Sequence, residues 1–477
     1  MSSFLWHDYE SFGVDPKFDR PAEFAAIRTD QNLQVVGEAV VWRCKPTLDY
    51  LPSPEACAIT GIGPESCWQD GLPEPEFAAA IFELMSVPGT TSLGYNSIRF
   101  DDEMTRHLFW RNLLDPYVRE WANGNSRFDL IDTVRAAYAL RPDGFVWPQH
   151  ADGRPSFRLE DLALANQLPH SHAHSALSDV EATIALARRL RELQPRLWTH
   201  ALSLRDKRVV AGMMDLAAKK PLVHVSQRFA ADRGCLAMVL PLIAHPSQAQ
   251  KFVVFDLGLD PGPLLELEAE AIVERLLLPS EQAEAAGGRV GLKVVHANRA
   301  PFLAPLSVLT GVDTARIALH ADLCLARAER LRGASDLEPK LRAVYALLER
   351  GHAVAARPPV DVDTDLYGGF LPDGDRARLR EWLRLSPAER IAALPLPTLD
   401  ARVDELCFRH CARHHEALLS EPQRERWIQH CQQVLRAGRL SLQRYRELCA
   451  ATELAPALRE ELAQWGARCA AHAKLSA

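Results

Sequence analysis

The chain lacks any long apolar run. Nothing in its 477 residues approaches the ~18 consecutive apolar residues of a membrane-spanning helix. It opens Met-Ser-Ser-Phe-Leu-Trp-His-Asp, without the basic start and apolar stretch of a secretory signal. Together these absences predict a cytoplasmic protein with no membrane partner. The ten cysteines follow no regular spacing, which argues against a disulfide framework and predicts reduced, partly buried thiols. Internal repeats are missing, and the one biased stretch is rich in Pro, Gly and Asp, at 357–374. An excess of positive charge is missing too, since the net charge is −7. That argues mildly against a nucleic-acid partner, but net charge says little about local patches. A chain that gathers carboxylates around cations can be acidic overall and still carry one basic track.

Hydrophobic residues make up 47% and charged residues 25%, which places the chain among ordinary globular proteins. Its length suits about three domains of ~150 residues. Residues 1–194 read as mixed α/β. Phe4–Tyr9 and Thr90–Tyr95 have strand character, and Leu33–Cys44 suggests paired strands. Helical spacing is predicted over Glu76–Met85, Asp101–Asn112, Leu159–Asn166 and Asp179–Leu193. Residues 195–350 read as a smaller, mostly β domain. Its short strand-like runs are Leu222–Val225, Leu236–Leu242, Phe252–Leu257 and Val290–His296. Residues 351–477 open with the 357–374 linker and become helical from Asp375.

Four segments carry chemistry. Asp8 and Glu10 lie two apart in the first strand, so they project from one face. Two carboxylates on a buried face are costly unless a cation neutralises them, and hard divalent cations prefer oxygen. Asp101 and Asp102 follow a predicted strand and open a predicted helix. Asp101 is assigned the metal role because Phe100, packing inward, would fix its direction. Asp102 is then expected to be a cap or a solvated neighbour. His174 precedes Asp179 by five residues, with Asp179 in the first turn of the last helix, where a negative charge suits the helix dipole. An imidazole there can take a proton from an attacking water. His170 and His172 read as exposed loop residues.

In this order the segments resemble the DEDDh exonuclease superfamily, which has Asp-x-Glu in its first strand, Phe-Asp after a later strand, and His-x4-Asp before its last helix. The DEDDy subclass has Tyr four residues before the final Asp, where this chain has Ser175. Longer stretches resemble the bacterial exodeoxyribonuclease I family within it. They are Phe4–Gly13, DRPAEFAAIRT at 19–29, DYLP at 49–52, ITGI at 59–62, GYNSIRFDDE at 94–103, YALRP at 138–142, PSFRLE at 155–160 and KPLVHVS at 220–226. The similarity runs into the third domain and weakens after about residue 350.

That resemblance implies a ribonuclease H-like exonuclease domain, an SH3-like β domain and a C-terminal helical domain. It implies 3′→5′ removal of mononucleotides from single-stranded DNA, in DNA repair and recombination, by a monomer. By the same resemblance, Asp8, Glu10, Asp101 and Asp179 hold two Mg²⁺ ions, which Mn²⁺ can replace, and His174 is the general base. Thr60, Gly61 and Ile62 match the segment that meets the terminal nucleotide, together with Glu10. Lys207, Arg208, Lys219, Lys220, Arg228 and Arg233 are candidates for a phosphate track. Arg141 and Lys220 match basic positions that dock the acidic tail of single-stranded DNA-binding protein. Cys407, Cys411 and His414 or His415 share a helix face, but structural zinc usually draws its ligands from separated segments, so no zinc site is expected there. The rival readings are a ribonuclease of the same superfamily, which the length and flanking motifs disfavour, and a non-catalytic binding module, which would have lost one of the acids.

Overall fold

The computed structural model describes residues 2–169, 175–354 and 360–475. His170, His172 and His174 therefore lie outside the described residues. The chain forms two compact units that do not follow its linear order. The first gathers residues 1–126, 170–181 and 359–477, and the second gathers 127–169 and 182–358.

The first unit is built on strands β1 (Ser3–Ser11), β2 (Pro21–Thr29), β3 (Val40–Arg43) and β4 (Thr90–Gly94). With β5 (Ser126–Asp129), where the chain leaves this unit, the sheet order is β3-β2-β1-β4-β5. β1 pairs antiparallel with β2 and parallel with β4, which makes it a central strand. Its alternation decides the packing. Leu5 and Tyr9 face a core with Phe24, Phe77, Ile81, Met104 and Leu108. Phe4 and Trp6 are buried on the other face, which turns acidic at Asp8 and Glu10.

Most elements of this unit fall where the pattern predicts. The helices are Glu74–Ser86 and Asp101–Arg111, and the one that begins at Ala176 runs to Leu193, leaving the unit on the way. The pair of strands expected over Leu33–Cys44 reduces to Val40–Arg43, and the partner strand is Pro21–Thr29. The stretch from Leu33 to Val36 instead folds back as a turn on Asp30, whose carboxylate accepts from the backbone N–H groups of Asn32 and Gln34.

The C-terminal helices share a core with the N-terminal segment. Phe12, Tyr50 and Cys57 pack with Trp382, Phe408, Trp427 and Trp465. Trp465 Nε1–H donates to the Tyr50 carbonyl at 3.0 Å, and Arg468 pairs with Glu65 at 2.8 Å. The described part of the 357–374 stretch is no loose linker, since Asp363 is buried between Arg409 and Arg413. Cys407 and Cys411 are fully buried in this core, and burial pushes both thiols up, Cys411 to about 11.

In the second unit, β6 (Leu222–Val225), β7 (Leu236–Ala244), β8 (Lys251–Asp256), β9 (Leu292–His296) and β10 (Phe302–Pro305) form an antiparallel sheet in the order β10-β6-β7-β8-β9. Residues 195–350 are not mostly β: β10 and most helices of this unit go unpredicted, the longest of them Ala321–Arg332 and Leu337–Val354. These helices show why. They are rich in Arg and Glu, and only a narrow set of residues, such as Cys324, Ala328, Leu331, Leu341 and Val344, is buried. All ten cysteines are unbridged, and no helix among the described residues is long and apolar enough to cross a membrane.

Candidate active site

The end of β1 and two helix starts bring the acids together. Oxygens of Asp8, Glu10 and Asp179 all lie within 4.8 Å of one another. Asp179 sits in the first turn of the Ala176–Leu193 helix, and its N–H closes onto Ser175 O at 3.0 Å. Asp101 is tied to β1 itself, because the Tyr9 N–H donates to its Oδ1 at 3.1 Å. The Tyr9 hydroxyl lies 3.0 Å from Thr105 Oγ1, and the Thr105 hydroxyl donates to the Asp101 carbonyl at 2.8 Å. β4 can end this close to β1 only as glycine. A Cβ on Gly94 would stand 2.6 Å from the His7 carbonyl oxygen.

The electrostatics are those of a crowded anionic cluster. Burial, then the charges of Asp101, Asp179 and Glu10, raise the Asp8 carboxyl well above the usual range. Burial, then Asp179 and Glu23, push Glu10 up to about 7. Among the described residues no Lys or Arg pairs with Asp8 or Glu10. An all-oxygen donor set that holds its protons unless a positive charge arrives fits a hard divalent cation.

The two adjacent acids differ sharply. Asp102 is neither a cap nor solvated. It is 2% exposed and pairs with the fully buried Arg119 at 2.6 Å, while the residue preceding the helix, Phe100, makes no side-chain cap. Asp102 is thus committed to a buried ion pair, and Asp101 faces the β1 acids. Arg119, seventeen residues further on, was not legible as a partner from the sequence. The nearest local signal was the acid doublet itself, of which one member needed a counter-charge.

The other predicted residues are placed as follows. Thr60 ends the Pro54–Thr60 helix and Gly61 caps it at φ 69°, with open space where a Cβ would stand. Thr60 Oγ1 accepts from the buried Ile62 N–H at 3.2 Å. Lys207, Arg208, Lys220 and Arg228 are exposed. Arg208 is occupied by Asp206, and Lys220 lies 3.6 Å from Asp215. Lys219 is half-buried, and Arg233 pairs with Asp256 at 3.2 Å. Arg141 is half-buried and donates to the carbonyls of Leu140 and Val308.

The raised carboxyls have a consequence for stability. Glu10 titrates near 4.5 in an unfolded chain and near 7 here. A raised folded-state value contributes stability below pH 4.5 that is lost as pH rises through 7. With chelator present, the melting temperature is therefore expected to fall between pH 5 and 8. Glu10→Gln should flatten that fall, and Mg²⁺ should restore more at pH 8 than at pH 5. A wild-type profile no steeper than that of Glu10→Gln would refute the assignment.

Sheet, helix starts and carboxylate cluster define a nuclease of the exonuclease class. Three family models match in succession: Exonuclease over residues 5–187, Exonuclease I SH3-like domain over 205–347, and Exonuclease I C-terminal domain over 360–467. Exodeoxyribonuclease I of Escherichia coli K12 is 43% identical over 434 residues, covering 91% of this chain and 90% of that protein. The crystal structure of E. coli exonuclease I with a dA16 oligonucleotide is 41% identical, with a TM-score of 0.92 over 98% of this chain and 100% of that one. The E. coli protein has also been solved as a zinc-bound complex with single-stranded DNA, and a further similar structure is an ExoI/SSB-Ct complex. Each is 40% identical and covers 98% of this chain, with TM-scores of 0.91 and 0.90 and coverage of 100% and 99% of those chains. The chain belongs to the exodeoxyribonuclease I family, a family of metal-dependent nucleases, and it has that family's three-domain composition.

Proposed function

We propose that this chain hydrolyses single-stranded DNA from its 3′ end to 5′-mononucleotides, in DNA repair and recombination, and acts as a monomer. The observation that carries the reading is the cluster of Asp8, Glu10 and Asp179 oxygens within 4.8 Å, with Asp101 pinned beside it. Asp8, Glu10, Asp101 and Asp179 hold two Mg²⁺ ions, or Mn²⁺ in their place. When bound, the ions stabilise the charge developing on the phosphodiester and acidify the attacking water. His174 takes the proton from that water, five residues before Asp179. Thr60, Gly61 and Ile62 meet the terminal nucleotide with Glu10, where the open face of Gly61 admits a sugar. Lys207 and Lys220 contribute to the phosphate track. Arg141 and Lys220 receive the acidic tail of single-stranded DNA-binding protein, the kind of contact that the similar ExoI/SSB-Ct complex suggests.

The test is an assay with Mg²⁺ and 5′-labelled single-stranded DNA, duplex DNA and single-stranded RNA. Progressive 3′ shortening of single-stranded DNA alone is the expected result, and faster loss of RNA would move the protein to the ribonuclease reading. His174→Ala should lose about 10²–10⁴-fold in turnover while keeping metal and DNA affinity. Cutting at the wild-type rate under saturating metal would remove His174 from the mechanism.

A further inference from the structure

Away from the acids, the first unit encloses a cavity of about 560 Å³. Its walls come from residues 45–48, Trp68, residues 73–76 and the C-terminal helices, and none of Asp8, Glu10, Asp101 or Asp179 lines it. Two of its three cations have no carboxylate partner among the described residues. Lys45 sits over the Trp68 ring at 5.4 Å. Arg390 lies 5.5 Å over Trp382 and donates to the Leu383 carbonyl. The third, Arg413, is already matched by Asp49 and Asp363. Of the lining acids, Glu74 is taken by Arg111 and Asn112, and Glu416 by His472 at 2.7 Å, which leaves Glu76.

The wall also carries unmet polar atoms. His410 is 3% exposed and its Nδ1 has no hydrogen-bond partner. Arg390 Nε and His472 Nδ1 are likewise buried and unpartnered. Nitrogens of this kind call for acceptors, since buried polar groups are nearly always satisfied. The local field at His410 is positive. Burial first, then Arg390, His415 and Arg413, lower its imidazole to about 3, and no carboxylate offsets them there.

We propose that this cavity binds a small phosphorylated anion up to the size of a nucleoside monophosphate, with Arg390 and Lys45 on the phosphate and His410 on a further polar group. Unpaired cations and unsatisfied nitrogens in a concave site are what such an anion needs, and the volume falls in the range of small-molecule sites. The ligand class coincides with the product of the hydrolysis proposed above. The site does not depend on that reading, because none of the candidate active-site acids takes part in it.

Isothermal titration of the full-length Asp8→Ala chain in chelator tests this while keeping product off the acids. The titrants are deoxyadenosine monophosphate, inorganic phosphate and uncharged deoxyadenosine. The two phosphates should bind and deoxyadenosine should not. Tighter binding of the nucleotide than of phosphate would make the nucleotide the ligand, and equal binding would make it free phosphate. Arg390→Gln and Lys45→Gln should each weaken binding about tenfold, with Lys45→Gln deciding if Arg390→Gln fails to fold. No heat at millimolar phosphate and nucleotide, binding unchanged in both variants, or deoxyadenosine binding as well as its monophosphate would each overturn the proposal.

Discussion

Asp8→Ala is expected to abolish turnover and, in the absence of metal, to raise the melting temperature. The two effects share one cause. Asp8 is a half-buried carboxyl pressed by Asp101, Asp179 and Glu10, and its pKa is driven well above the usual range. Without a cation this crowding is a cost, so its removal relieves the apo fold. With a cation the crowding is the binding energy. Losing several kcal/mol of charge stabilisation corresponds to about a thousandfold or more in rate, at ~1.4 kcal/mol per decade. The checks are kcat on single-stranded DNA and thermal melting with and without Mg²⁺. Near-normal turnover would remove Asp8 from the site. A large loss of apo stability would show instead that Asp8 is a structural group, as Asp102 is by virtue of Arg119.

The second large effect is expected far from the acids. The Arg413 side chain is 3% exposed and joins two distant segments. Its Nε and Nη2 donate to Asp49 Oδ2 at 3.0 and 2.7 Å, and its Nη1 donates to Asp363 Oδ1 at 2.9 Å. Arg409 and Arg20 also reach Asp363. Burial pushes Asp49 and Asp363 up, but the Arg413 guanidinium, joined by His430 and Arg20 at Asp49 and by Arg409 and Arg20 at Asp363, more than offsets it and holds both carboxyls well below the usual range. Arg413→Ala strands the buried Asp49 carboxylate and leaves Asp363 to Arg409 and the more distant Arg20, and breaking such a buried pair costs about 3–5 kcal/mol.

The pH dependence follows from the sign of these shifts. Depressed carboxyls contribute stability above their unfolded value of 3.8 that is lost only as pH falls through the lower folded value. In Arg413→Ala much of that contribution is lost, chiefly at Asp49, and protonation at low pH relieves the stranded acid. The stability gap to wild type should therefore be wide at pH 7 and narrow near pH 4, as read by denaturant unfolding. A gap that does not change with pH would mean that the loss is one of packing. Arg413→Lys keeps the charge without the bidentate fork and should fall in between.

Much of this was legible in the sequence, for identifiable reasons. Side chains alternate along a strand, so Asp8 and Glu10 had to share a face wherever β1 lay. Thr90–Gly94 and the two helix starts announced themselves by apolar periodicity. The Ala321–Arg332 and Leu337–Val354 helices were obscured by their charge, and β2 by the expectation of paired strands over Leu33–Cys44. The Lys45–Arg390 cavity had no sequence signal at all, because its walls come from segments more than 300 residues apart.

The sequence by itself determined the chemistry on offer. It set which acids alternate on one strand, which stand at helix starts, and in what order the domain types follow. Tertiary structure decided the allocation of charge. Arg119 committed Asp102 to an ion pair, and the Tyr9 N–H turned Asp101 toward β1. Asp49 and Arg413, 364 residues apart, made residues 1–126 and 359–477 parts of one body. Spacing is a local property that a strand or helix translates directly into direction. A buried charge is settled by whichever partner the fold brings within reach, and that partner can lie anywhere along the chain.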